Sequence, residues 1–210
     1  MKRILQLVAF GLVLASLGAR AANWEAEVHY FELSNPQPVQ TGEKIEVLEL
    51  FWYGCPHCYA LEPFIENWTE NKPENAEYVL MPGIFRKDTQ FHARAFYTFE
   101  ALDITGKVHR DFYDEIHQRG NRIYNLAGLI EFAAKHGVAS EEFTDAYDSF
   151  AVDANVRNAQ NMFRKYEATG VPTIIIDGHY RVTVSSAGGH EQLLDLINFL
   201  VEKSAGERTG

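Results

Sequence analysis

The only two cysteines of the chain, Cys55 and Cys58, stand two residues apart in Cys55-Pro56-His57-Cys58. A pair at this spacing suits three chemistries: dithiol–disulfide exchange, half of a metal site, or an inert disulfide. A structural zinc needs about four ligands, no second Cys-x-x-Cys is present, and His57 is poorly placed to share a metal with the cysteines that flank it. A disulfide closing so short a loop constrains little of the unfolded chain and stabilises weakly. Exchange chemistry is therefore the reading of the pair. Gly54 breaks the preceding apolar run, and Pro56 has the fixed φ and missing N–H that suit the first turn of a helix. Cys55 then sits at a helix N-terminus, where free N–H groups and the positive end of the dipole favour a thiolate. His57 adds a donor or a positive charge; the plainer reading of it is a solvated histidine. Cys55 is expected to exchange, and Cys58, one turn inside, to be buried and to resolve.

These residues need a strand to deliver them and a scaffold to cover them. Ile45 to Tyr53 is too apolar for a half-exposed strand and predicts a central one covered on both faces. Glu49 lies within it, and an acid there is costly unless paired or protonated; the alternative is a sheet-edge position with the carboxylate in water. Tyr78 to Met81 is a second strand candidate, and Asn23 to Glu43 a polar arm. From Thr89 to about Glu167 the pattern is helical, with breaks at Thr105-Gly106, Gly120-Asn121, Gly137 and Thr169-Gly170. Phe91, Ala95, Phe99 and Leu102 recur at helical spacing, and Ser140 followed by two acids suits an N-cap. Thr173 to Ile176 and Tyr180 to Val184 flank Asp177-Gly178-His179 as a hairpin. A last helix carries Leu193, Leu194, Ile197, Leu200 and Val201, and the tail from Ser204 is expected to fray. This order predicts an α/β sheet domain interrupted by an all-helical one. Glu62, one turn after Cys58, has two readings, electrostatic modulation of the site and, more simply, a solvated helix face; His109 and His117 read as surface residues.

The chain has 19 Lys and Arg against 29 Asp and Glu, a formal charge of −10, which disfavours nucleic acid as a partner. Lys2 and Arg3, the apolar stretch from Ile4, and Ala19-Arg20-Ala21 have the layout of a cleaved secretory signal over residues 1–21. Export would place the cysteines where disulfides persist.

Phe51-Trp52-Tyr53-Gly54-Cys55-Pro56-His57-Cys58-Tyr59, with Gly170-Val171-Pro172-Thr173 before the hairpin and helices between, resembles the DsbA family of periplasmic thiol–disulfide oxidoreductases. The resemblance covers essentially the whole mature chain. It implies a thioredoxin-like fold over residues 22–86 and 155–210 with an inserted all-helical domain over 87–154. It implies a monomeric periplasmic enzyme with no cofactor beyond its own Cys55–Cys58 disulfide and no metal, which oxidises reduced exported proteins and is reoxidised by a DsbB-type quinone-linked membrane oxidase. The implied site is Cys55, Pro56, His57 and Cys58, with Val171 and Pro172 presenting backbone to substrate through a cis peptide bond, and Glu49 relaying the proton of Cys58. Members often carry a Lys on the strand beside that acid, and Tyr78 to Met81 offers none. An envelope isomerase or reductase and a peptide-binding chaperone are the alternatives. Pro172 by itself would suit a trans proline opening a strand.

Overall fold

A computed structural model describes residues 23–209; the expected signal segment lies outside the described residues. Among the described residues five strands form one mixed sheet: β1 (Phe31–Glu32), β2 (Ile45–Phe51), β3 (Ala76–Pro82), β4 (Thr173–Ile176) and β5 (Tyr180–Val182), in the spatial order β1-β5-β4-β2-β3. β2 pairs parallel with β3 and antiparallel with β4. As its apolar run demands, every residue of β2 is buried.

Alternation along the strands gives the two faces different covers. Val47, Ile174 and Ile176 pack with Leu61, Ile65 and Trp68 of α1 (Pro56–Asn71) and with Leu196, Ile197 and Leu200 of the C-terminal helix. On the other face Leu48, Leu50 and Ile175 meet Val152, Val156, Ala159 and Phe163 of a long helix and Ala93 of another. Five helices run between β3 and β4: α2 (Lys87–Ala101), α3 (Thr105–His117), α4 (Leu126–Lys135), α5 (Ser140–Tyr147) and α6 (Phe150–Lys165). Phe96, Phe99, Phe112, Phe132 and Phe143 form their common core, and Phe51, Tyr53, Cys55 and Cys58 belong to the same cluster. α6 runs unbroken through positions 154 and 155, where the expected insertion ends.

Several expectations need correction. The polar arm contributes β1, which pairs with β5, and buries Tyr30 and Leu33. α3 begins at Thr105, so the break before it falls at Leu102 to Ile104, where Asp103 takes φ 54°. Ala139 is the N-cap of α5 and Ser140 its first helical residue. The hairpin's second strand stops at Val182 because the Thr183 side chain accepts from the Ser186 N–H and starts α7 (Val184–Ala187). The tail does not fray: α8 (His190–Thr209) is helical to its end, Ser204 is buried, and Arg208 donates to Asp177 Oδ2 at 2.9 Å and to the carbonyls of Gly42 and Glu43 at 3.0 and 3.1 Å. Among the described residues no helix is long and apolar enough to cross a membrane.

Candidate active site

β2 ends at Phe51, and the Cys55 N–H donates to the Trp52 carbonyl at 2.9 Å, closing the turn that starts α1. Cys55 is the N-cap and Pro56 follows it in the first turn. The Cys58 N–H donates to Cys55 Sγ at 3.4 Å, and Cys55 Sγ lies 3.5 Å from the Val171 carbonyl oxygen. The Val171–Pro172 peptide bond is cis. Both cysteines are free thiols; Cys55 keeps 6% of its surface exposed and Cys58 none.

That difference in position separates their acidities. A hydrogen bond from the Cys58 side chain, then the backbone N–H groups of Cys58 and His57 and the charge of His57, lower the Cys55 pKa to about 6 against the opposing effect of burial. Burial first, and then the neighbouring Cys55, push the Cys58 thiol well up. Pro56 and His57 are exposed beside them. His57, Val171, Pro172, Val184 and His190 line an open cleft of about 330 Å³.

Glu49 lies beneath this pair, 1% exposed. The Tyr78 hydroxyl donates to its Oε2 at 2.6 Å, while among the described residues Oε1 has no partner. Burial, and then the Glu62 carboxylate, raise the Glu49 pKa to about 8, with Tyr78 opposing them. Tyr78 thus occupies the role of partner on β3, where a Lys was absent. The Tyr78→Phe variant is expected to lose about 1–3 kcal/mol of stability, the cost of leaving a buried acceptor unsatisfied. Because the lost bond favours the ionised acid, the loss should be larger at pH 9 than at pH 6. Denaturant titrations at the two pH values measure it, and an equal loss at both would contradict this account of Glu49.

Three residues expected at the surface are in fact part of this site. Glu62 is 4% exposed. His109 Nε2 lies 3.4 Å from Glu62 Oε1, and its Nδ1 is 2.8 Å from the Tyr53 hydroxyl. His117 Nε2 is 2.7 Å from the Tyr53 carbonyl oxygen, and its ring stacks on Tyr59 at 4.7 Å. The helical segment carrying both histidines packs against the cysteine turn, which local periodicity does not reveal. The nearness of Glu62 to the site is legible in the sequence, since a residue four beyond Cys58 shares its helix face. Among the described residues no group of three or more His, Cys, Asp or Glu is arranged to hold a metal.

Residues 76–198 match the family model of the DsbA-like thioredoxin domain. The chain belongs to that family. The DsbA-like match begins after the cysteines, but relatives extend it across them. A protein of Pseudomonas aeruginosa named thiol:disulfide interchange protein DsbA is 40% identical over 195 residues, covering 91% of this chain and 92% of its own. One of the same name from Azotobacter vinelandii is 37% identical over 207 residues, with 96% and 97% covered. The crystal structure of Pseudomonas aeruginosa DsbA superposes with a TM-score of 0.85 at 38% identity, covering 90% of this chain and 99% of that one. The DsbA-like fold, a thioredoxin-like sheet with helices inserted, is the fold seen here.

Proposed function

We propose that the protein is a thiol:disulfide oxidoreductase that introduces disulfide bonds into exported proteins, with Cys55 as the exchanging residue and Cys58 as the resolving one. The observation that carries this assignment is the different placement of the two thiols: Cys55 caps α1, accepts the Cys58 N–H at 3.4 Å and keeps some exposed surface, whereas Cys58 is fully buried one turn inside, which sends their acidities in opposite directions. In the oxidised protein a substrate thiolate attacks Cys55 Sγ, the Cys55–Cys58 bond breaks, and Cys58 leaves with the electron pair and gains a proton. A second substrate thiolate then attacks the substrate sulfur of the mixed disulfide and expels Cys55 as a thiolate. The substrate has lost two electrons and the protein has gained them. A low pKa makes Cys55 a good leaving group, which favours oxidation of the substrate.

Pro56 starts the helix that stabilises the thiolate, and exposed His57 adds its charge. Val171 and Pro172 offer backbone beside Cys55 to an extended substrate by strand pairing. Glu49, poised near neutral pH and acting electrostatically on Cys58, takes and returns the resolving proton. On this reading residues 22–86 and 155–210 belong to the thioredoxin-like part and 87–154 to the helical insertion, the second boundary falling within α6. The site works as a monomer in the periplasm with no cofactor beyond its own disulfide, on reduced exported proteins, and a quinone-linked membrane oxidase of the DsbB type restores the disulfide.

The test is oxidation of a dithiol peptide, together with the equilibrium of the Cys55–Cys58 couple against glutathione. The wild-type disulfide should oxidise the peptide and be reduced readily by glutathione, and Cys55→Ala should have no turnover. A couple that glutathione leaves oxidised would favour the reductase reading. Unchanged peptide binding with no wild-type turnover would favour the chaperone.

A further inference from the structure

We propose that a basic groove beside the Val171–Pro172 loop binds an acidic flank of the substrate polypeptide, so that the protein oxidises exported segments with carboxylates near the reacting cysteine in preference to others. This deepens the oxidoreductase reading above and rests on it.

The groove, of about 470 Å³, lies between the turn leading from β3 into α2 and the C-terminal half of α6. Phe85 and Phe163 stack in its wall at 5.4 Å, and Phe85 is 41% exposed, an aromatic surface of the kind enriched where proteins bind chains. Arg86, Lys87 and Arg164 also line the groove, and among the described residues no carboxylate does. Arg86 is matched by Asp88, at 3.1 and 2.9 Å. Lys87 and Arg164 have no carboxylate within 4 Å among the described residues, on a chain whose formal charge is −10. Lys87 is also the first residue of α2, at the positive end of its dipole, where a cation is unfavourable until an anion joins it. Lys165 stands beyond Arg164 in an adjoining hollow that likewise lacks a lining carboxylate.

Two contacts join the groove to the redox site. A Cβ on Gly83 would fall 2.6 Å from Val171 Cγ1 and 3.1 Å from Phe163 Cε2, so the bare glycine lets these two side chains close over the same point. The Val171 carbonyl oxygen is in turn 3.5 Å from Cys55 Sγ. Phe85 meets the ring of Trp52 edge-on at 6.5 Å, three residues before Cys55. An extended chain advances about 3.3 Å per residue. A polypeptide paired with Val171 therefore needs only a few more residues to pass Ala168 or Phe85 and reach Lys87 and Arg164.

Oxidation rates (kcat/KM) of dithiol peptides that differ only in a flank of Glu or Gln, placed before or after the cysteines, test this. At low salt the wild type should favour the better-placed Glu flank over Gln about three- to tenfold, as two exposed ion pairs allow, and about 0.5 M salt should erase the preference. Lys87→Glu/Arg164→Glu should bring the ratio below threefold and still oxidise the Gln peptide within about twofold of wild type, since neither residue touches a sulfur. A wild-type ratio under about threefold in both placements overturns the proposal. So does a ratio that stays above it in the double variant, or an equal loss with the Gln peptide. Sedimentation with phosphatidylglycerol vesicles covers the other anionic partner: binding that the double variant loses, without any peptide preference, would assign the groove to a lipid surface and overturn the proposal. Absence of oxidation of every peptide by the wild-type disulfide would instead sink the oxidoreductase reading. Titration calorimetry with the same peptides carrying Ser for Cys would then still decide the groove by the same threefold ratio.

Discussion

Cells expressing the Cys58→Ser variant are expected to accumulate covalent complexes with exported proteins, and cells expressing Cys55→Ser are not. At pH 7 a thiol with a pKa of about 6 is roughly nine-tenths thiolate, whereas one near 9 is about one-hundredth. Cys55 in the Cys58→Ser variant therefore still attacks a substrate disulfide, forming a mixed disulfide and releasing the other substrate sulfur as a thiolate. The internal thiol that would break that bond is gone. In the Cys55→Ser variant the remaining sulfur is fully buried and held protonated. Non-reducing gels of envelope extracts read the difference, and the Cys58→Ser lane should carry roughly tenfold more complex or better. Equal trapping, or trapping through Cys58 alone, would reverse the assignment of the two cysteines.

Reduction is expected to stabilise the fold, and more so as pH rises from about 6 to 9. The Cys55 pKa is lowered on folding from 9.0 to about 6, so its contribution is fully present above pH 9 and lost as pH falls through 6. Three pKa units correspond to about 4 kcal/mol at most, of which about 1.4 kcal/mol is present at pH 7. The raised pKa of Cys58 works the other way only above its unfolded value, so the gain levels off near pH 9 and falls beyond it. The disulfide opposes this by about 2 kcal/mol for so short a loop, less than the roughly 2.7 kcal/mol that the thiolate contributes at pH 8. Paired thermal melts of the oxidised and reduced protein should show the reduced form melting higher at pH 8, with the gap closing by pH 5. A higher melting temperature for the oxidised form at pH 8 would contradict the thiolate account.

The parts of this molecule that local chemistry determines were legible in its sequence. Ile45 to Tyr53 announces a doubly covered strand, which the structure ends two residues earlier at Phe51, Pro56 a helix start at Cys55, and Asp177-Gly178-His179 a hairpin, because each rests on a few adjacent residues. What long-range packing determines was not legible. Nothing near Phe31 shows that it will pair with Arg181, and nothing near His109 shows that it will face Glu62. The tail from Ser204 looked expendable because its residues are polar, yet Arg208 finds partners more than 160 positions away. Tyr78 is a similar case: a phenol near the start of a strand gained meaning only once the register of β2 and β3 brought it to Glu49.

The two sulfurs share one apolar cluster with Phe96, Phe99, Phe112 and Phe132 of the inserted helices. An engineer seeking a minimal redox module by excising those helices would expose Phe51, Tyr53 and Cys58 to water. Solvent would then relax the burial that holds Cys58 protonated, and His109 and His117 would leave with the excised piece. The trimmed protein would keep its Cys-Pro-His-Cys sequence and lose the contrast between its thiols. The helices are thus part of the dielectric in which the chemistry occurs, and graftability of the motif ends where their aromatic rings begin.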